Sequence, residues 1–599
     1  MSHPNSGPRR VRRGLRWPVA AVATLALLSG CSLFGNGGTG SDPQDPSGGD
    51  QTTITIQTGN TPHIDPQVIV NGMWLDSQGL LEGLVIQNKE GTDVRPGAAD
   101  KWEVSEDGLT YTFHLREGGK WSNGEPVTSA DALFSYERLM DSKRGSGGVT
   151  MGATSFQATL GIKNAAAFNS GEITDFSQVG IKAPDEKTIE FTLEKANPGF
   201  LMGMTHPSML LLNEKAVSDE SKDWQQPANF VGSGPYKMTA WQPNASMVWE
   251  KNPEYWDAES VGIDKINIQL IEGGAVTTTV DFENGKVDIQ GLPTAADLAR
   301  FEKDPNLKDS IVTKENVTTM YLARLQSKNK ALQDPKVLKA LSLALGREEV
   351  AATSRTNAGG TLVSPNTPGW NESVQATPDL MDREASVAEA KKLLEEAGHP
   401  NGEGLPTITL LAGVDTPNLD VIADTWQKNL GVKVKKDIVE SGVYVERRYQ
   451  LHDEDYAGFW YGTFSALTTW PSQTEALWGK TMFGQIALDD VSYAEYDKIS
   501  KDKSMDAGKK NAAMNKILEE KGPEKFQEYL TNVDKAREAT EPADQEAAYQ
   551  AAAKAREEAF VLVPVAWQPV TLVKQDRIQG LQLRASADRY YFKDLTVQN

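Results

Sequence analysis

The chain has 599 residues, of which 39% are hydrophobic and 24% charged, with 61 Lys+Arg against 82 Asp+Glu and a formal net charge of −21. That is the profile of a globular protein with room for several domains and a large core, and the acidic balance argues against sequence-independent binding to nucleic acid. The single cysteine, Cys31, excludes an intramolecular disulfide and a multi-cysteine zinc or iron–sulfur site, and no run of 18 apolar residues is present to cross a membrane as a helix.

In chain order, the first thirty residues read as an address. Arg9, Arg10, Arg12, Arg13 and Arg16 form a basic segment, followed by the apolar run 19–28 (VAAVATLALL), which suits a signal sequence and is too short for a transmembrane helix. Leu28-Ser29-Gly30-Cys31 resembles a bacterial lipobox, whose cysteine takes a diacylglycerol and becomes the mature N-terminus. The alternative is a chance cysteine behind an ordinary signal peptide. Residues 32–50 are rich in Gly, Ser, Asp and Pro and too polar to bury a core, so they read as a tether with an r.m.s. span of roughly 25 Å. The expectation is a lipoprotein signal peptide over 1–30, a lipidated Cys31 with flexible tether over 31–51, and a protein anchored by lipid to the extracytoplasmic face of the cell membrane.

The body begins as mixed α/β. Residues 52–57 (TTITIQ) predict a β-branched strand, and 111–116 (YTFHLR) alternate as a half-buried strand does. Asp107-Gly108 predicts a hairpin turn. Thr128 to Asp131 reads as a capping box opening a helix with Leu133, Tyr136 and Met140 on one face; a second box, Ser386 to Glu389, predicts a helix stopped by Gly398. Residues 505–544 read as an exposed helical insertion. Residues 561–567 (VLVPVAW) read as a buried strand, with Pro564 placing it at an edge or a crossover.

Several segments together resemble one family. Residues 94–116 (VRPGAADKWEVSEDGLTYTFHLR), 121–131 (WSNGEPVTSAD), 183–188 (APDEKT), 231–236 (VGSGPY), 250–256 (EKNPEYW), 339–345 (KALSLAL) and 388–398 (AEAKKLLEEAG) are similar to the family 5 extracellular solute-binding proteins, the oligopeptide and dipeptide receptors of ABC importers. Each segment also has a purely structural reading, as a turn, cap or core cover. The resemblance implies an α/β fold of the type II-like periplasmic-binding-protein kind: two lobes that close like a hinge, with an extra subdomain in lobe one. Lobe one would cover 52–312 with 568–599, and lobe two 313–567. It further implies a monomer that captures peptides and delivers them to ABC permease subunits, with no cofactor. The alternatives are the same fold binding an oligosaccharide or metal chelate, or an extracellular sensor.

The resemblance also points to a cleft. In lobe one it favours the loop 58–65, with Asn60, Thr61 and His63; His63 is read either as a metal ligand or as an ordinary hydrogen-bonded loop residue, the second being preferred and no metal expected. In lobe two it points to 447–465 (RRYQLHDEDYAGFWYGTFS). Peptide receptors of the family carry a tryptophan here, followed three residues later by an aspartate that pairs with the peptide's α-ammonium. Trp460 matches the tryptophan, but the aspartate position is Thr463. Tyr461, Phe464 and Trp470 are candidates to line a stacking pocket, against core packing as the plain alternative. Arg448, twelve residues before Trp460, stands where some relatives keep a carboxylate-binding arginine, against a solvated helix charge. Asp453-Glu454-Asp455 offers carboxylates for a glycosidase, but three adjacent acids in a charged turn read better as a solvated face. No nucleophile elbow, HExxH site or phosphate loop occurs, so a binding protein rather than an enzyme is expected.

Overall fold

The computed structural model describes residues 52–59, 63–67, 79–141, 160–219, 221–271, 276–292, 294–366, 383–465, 479–502, 504–505, 507–584 and 590–598. Cys31, the signal segment and the tether lie outside them. The organising element is an 11-stranded mixed sheet. Side by side run Val434–Ile438, Ile408–Ala412, Ala457–Ser465, Ile311–Arg324, Leu562–Lys574, Ile289–Gly291, Thr53–Gly59, Lys265–Ile271, Ser246–Lys251 and Tyr236–Gln242, and the short strand Asn357–Ala358 pairs onto Leu562–Lys574 off this path.

Two large hydrophobic cores flank the middle of this sheet. The first gathers Ile54, Ile56, Phe113, Tyr136, Phe191, Trp249 and Ile266. The second gathers Leu322, Leu341, Leu410, Trp426, Phe459 and Phe526. Two long strands serve both. The outgoing strand Ile311–Arg324 packs Val312 on the first core and Leu322 in the second, while the return strand Leu562–Lys574 places Val563 and Val565 in the second core and Leu572 in the first. This is a two-lobed α/β architecture in which, among the described residues, two strands of the sheet carry the chain between the lobes.

The first lobe carries an additional four-stranded antiparallel sheet, ordered Ala99–Val104, Thr110–Leu115, Thr188–Thr192 and Ile181–Asp185. Gly108, at φ +67°, turns the first two strands into a hairpin where Asp107-Gly108 predicts one. The helix Ser129–Met140 opens as predicted: the Asp131 carboxylate accepts from the Thr128 backbone N–H at 3.0 Å and from its hydroxyl at 2.9 Å. Gly232 and Gly234 are glycine for lack of room. A Cβ at Gly232 would stand 2.2 Å from the Leu80 carbonyl oxygen, and one at Gly234 2.6 Å from the Leu80 carbonyl carbon.

Two local expectations are corrected, and a third is decided between its alternatives. The helix containing Ser386 begins earlier, at Arg383, so Ser386 is a buried helical residue and not a cap. The polar segment 505–544 forms the helices Ala507–Lys521 and Glu524–Glu538, which bury Ile517, Leu518, Phe526, Tyr529 and Val533 in the second core; few but correctly spaced apolar residues suffice for that. Of the two placings expected for the strand with Pro564, an edge or a crossover, the structure has the crossover: the strand runs through the centre of the sheet and serves both cores. Pro564 is accommodated at a break in register, where Met320 faces Ala566 but Tyr321 faces Pro564.

Candidate functional site

Strand direction locates a crevice. Thr53–Gly59, Lys265–Ile271 and Ile289–Gly291 are parallel to one another, and Ile289–Gly291 is antiparallel to the return strand, so all three run in the direction of the outgoing strand. Their carboxyl ends therefore point at the second lobe. Ile408–Ala412, Val434–Ile438 and Ala457–Ser465 are parallel to one another and run the opposite way, with Ser465 facing Thr318. Their carboxyl ends point back at the first lobe. The two sets converge on 314–318 of the outgoing strand. In open α/β sheets, ligands bind outside the carboxyl ends of the strands, where backbone groups and loops lie free of the ladder.

On the second lobe, side chains alternate along Ala457–Ser465. Tyr461 and Thr463 occupy one face; Thr463 is exposed, opposite Met320, and Tyr461 is half-buried with its hydroxyl accepting from Asn418 Nδ2 at 3.2 Å. Trp460, Gly462 and Phe464 take the other face. Trp460 is only 1% exposed and meets Tyr321 edge-on at 5.3 Å between ring centroids. Gly462 makes that contact possible, since a Cβ there would lie 2.7 Å from both rings. Phe464 is half-buried.

Trp460 has a second neighbour, Arg448. The guanidinium carbon lies 4.8 Å from the Tyr449 ring centroid, 5.4 Å from that of Trp460 and 5.5 Å from that of Tyr444. The Arg448 Nε is buried without a hydrogen-bond partner, and no carboxylate among the described residues forms an ion pair with this arginine. Tyr444 is fixed in turn by donating to the Tyr461 carbonyl at 2.7 Å, and burial pushes its hydroxyl up to about 12 against the opposing charge of Arg448. A guanidinium stacked on aromatic faces presents its edge, and here the unpartnered Nε–H on that edge is available to an anion. The carboxylates that sequence reading weighs for catalysis lie elsewhere. Asp453 sits before the amino end of Ala457–Ser465 and pairs with Lys328 at 2.7 Å.

On the first lobe, His63 is exposed beside a firmly anchored loop. The N–H groups of Ile64 and Asp65 donate to Gln225 Oε1 at 2.9 and 3.2 Å, and Asp65 and Gln67 both receive Arg138 from the helix behind. No group of three His, Cys, Asp or Glu side chains among the described residues is placed to hold a metal ion. Asn60, Thr61 and Trp470 lie outside the described residues. The structure thus brings Arg448 and Trp460 together and places Tyr461, Thr463 and Phe464 along one strand end. Tyr321, Tyr444, Tyr449 and Asn418 belong to the same constellation and were not anticipated. Tyr444 precedes Arg448 by four residues, a spacing that hints at contact on a helix; Tyr321 gives no local signal.

A model of the bacterial extracellular solute-binding proteins, family 5, matches residues 93–484. The oligopeptide-binding protein of Bacillus subtilis is 29% identical over 458 residues, 74% of this chain and 80% of the relative. The periplasmic oligopeptide-binding protein of Salmonella typhimurium is 31% identical over 380 residues, 62% of this chain and 68% of the relative. Among solved structures, the Escherichia coli murein tripeptide binding protein superposes with a TM-score of 0.72 at 22% identity, covering 92% of this chain and 99% of its own. The two-lobed architecture is therefore that of the periplasmic binding proteins.

Proposed function

The chain belongs to the bacterial extracellular solute-binding proteins, family 5, and on that premise we propose that it captures peptides outside the membrane and hands them to the permease of an ABC importer. The relatives named above, described as peptide-binding, support the ligand class. We place lobe one at 52–312 with 568–599, lobe two at 313–567, and the ligand between them. The observation that carries the reading is Arg448: a ring-held cation with a buried, unpartnered Nε, suited to a carboxylate such as a peptide's C-terminus. Tyr461, Thr463 and Phe464 lie along the ligand, with His63 on the first lobe; the family resemblance adds Asn60, Thr61 and Trp470 as ligand contacts. Trp460 acts from behind, as the wall that fixes the guanidinium. Closure yields binding energy only through contacts absent from the open state. The protein is a monomer that returns its ligand unchanged, held to the membrane by lipid on Cys31.

Thr463 favours a second reading within the same fold. Without an acid there, a carboxylate-bearing solute that lacks an ammonium group fits as well as a zwitterionic peptide. Purification without denaturation, followed by mass spectrometry of what is released, separates the two. Intact peptides are expected. Recovery of a sugar, a metal chelate or another organic acid overturns the peptide reading, and progressive cleavage of added peptides by the purified chain overturns the binding-only reading.

A further inference from the structure

The two long strands do not pair evenly. Lys314 faces Val570 and Thr318 faces Gln568, so residues 315–317 stand opposite Pro569 alone. Proline has no N–H to give the ladder, which is why the extra residues collect there. Asn316 sits at φ +56°, a left-handed conformation that Asn tolerates better than most side chains. This irregularity lies at the level where the carboxyl ends of both lobes converge.

Residues 355–366 wrap both strands at that point. Asn357 and Ala358 pair with Trp567 and Ala566 of the return strand, and the Gly359 N–H reaches the Val565 carbonyl at 3.2 Å. On the outgoing strand, Asn357 Nδ2 donates to Asn316 Oδ1 at 2.7 Å and to Glu315 Oε2 at 3.0 Å. Asn366 Nδ2 donates to the carbonyls of Glu315 at 2.7 Å and Asn316 at 3.1 Å, and the Ser364 hydroxyl also donates to the Asn316 carbonyl. The same segment begins at Arg355, whose guanidinium crosses to Glu302 at 2.6 Å on the helix Ala295–Lys303.

We propose that residues 315–317 with Pro569 are the pivot of lobe closure, and that the strap 355–366 sets how freely that pivot turns. The ladder is continuous on either side of the bulge as far as Ile311 and Met320, so rotation there disturbs the fewest strand pairs, while polar side chains of the strap satisfy the carbonyls that the bulge leaves without ladder partners. The strap bonds to Asn316 and to the return strand together, so a change in the bulge must stretch or break strap bonds. The inference rests on the reading that the lobes close, and its test needs no ligand, so it stands or falls separately from ligand identity.

The test uses the full chain with Cys31→Ser and spin labels at Glu117→Cys in lobe one and Lys392→Cys in lobe two, both exposed in this structure. Pulsed electron resonance reads the distance distribution between them. Asn316→Gly keeps the left-handed backbone and removes the side-chain bond to Asn357; Asn357→Ala with Asn366→Ala removes the four amide bonds from the strap to residues 315 and 316, leaving that of Ser364. Both should broaden the distribution or add a second population, and amides of 315–318 should exchange about five- to tenfold faster. Asn401→Gly, at another left-handed Asn outside the strap (φ +53°), should leave the distribution unchanged. An unaltered distribution in Asn316→Gly and in whichever strap variant folds, or an equal broadening in Asn401→Gly, overturns the proposal.

Discussion

A peptide bound at this crevice meets no acid at position 463. The nearest sequence candidates to replace it, Asp453 and Asp455, precede the strand Ala457–Ser465, whose six steps from Ala457 to Thr463 span about 20 Å. At that separation in water a charge pair is worth only about 0.2 kcal/mol, less with salt, and Asp453 is already engaged by Lys328. Free and N-acetylated forms of one tripeptide should therefore bind with affinities within about 1.4 kcal/mol, a factor of ten. Thr463→Asp supplies the missing charge. A contact at 4 Å gains about 1 to 4 kcal/mol between the bulk-water and protein-surface limits, and because position 463 is exposed the lower end applies, roughly fivefold, in favour of the free form alone. Titration calorimetry with the paired peptides, on both proteins, reads these differences directly. If acetylation abolished binding to the natural sequence, the assignment of Thr463 to the ammonium position would be wrong.

Arg448→Met should keep the fold, because the aromatic cage accepts an apolar stem, yet weaken a ligand bearing a free C-terminal carboxylate by about 1.5 to 3 kcal/mol, the worth of a charged hydrogen bond; a C-terminally amidated ligand should lose much less, and equal losses would remove the carboxylate role. Cys31→Ala should leave the protein in the soluble fraction after cell lysis, since the tether offers no substitute for buried acyl chains at about 0.8 kcal/mol per CH₂; retention with membranes would refute the lipid anchor. Glu82 is buried, accepting from Tyr255 at 2.6 Å and Trp256 at 2.8 Å, and burial raises its carboxyl above the ordinary 4.5. The folded state then holds this proton more tightly than the unfolded one, so its contribution to stability is greatest below 4.5 and falls as pH rises through the folded pKa. Urea midpoints from pH 4 to 8 should show that fall in the natural protein and a smaller one in Glu82→Gln; identical pH profiles would refute it.

Much of the fold was legible locally. The strand at Thr53–Gly59, the hairpin at Gly108 and the Thr128–Asp131 cap depend on alternation, turn chemistry and short-range hydrogen bonds, which a sequence displays directly. The family-like segments carry the order of the elements, and hence the architecture. The site was legible only in part. Arg448 and Trp460 both stood out, but not their contact, and Trp460 proved to be a buried wall because the first half of the strand, residues 457–460, is inserted between two strands and buried on both faces, where alternation no longer distinguishes inside from outside. Tyr321, more than a hundred residues earlier in the chain, joins Trp460 only through the register that sets it against Gly462. The bulge opposite Pro569 is likewise a property of two strands over two hundred residues apart. What the sequence determined by itself is therefore the set of local elements and their order. Strand insertion and register, which depend on contacts between distant segments, decided which side chains face the crevice, which guanidinium nitrogen is left without an acceptor and where the two crossover strands fall out of register.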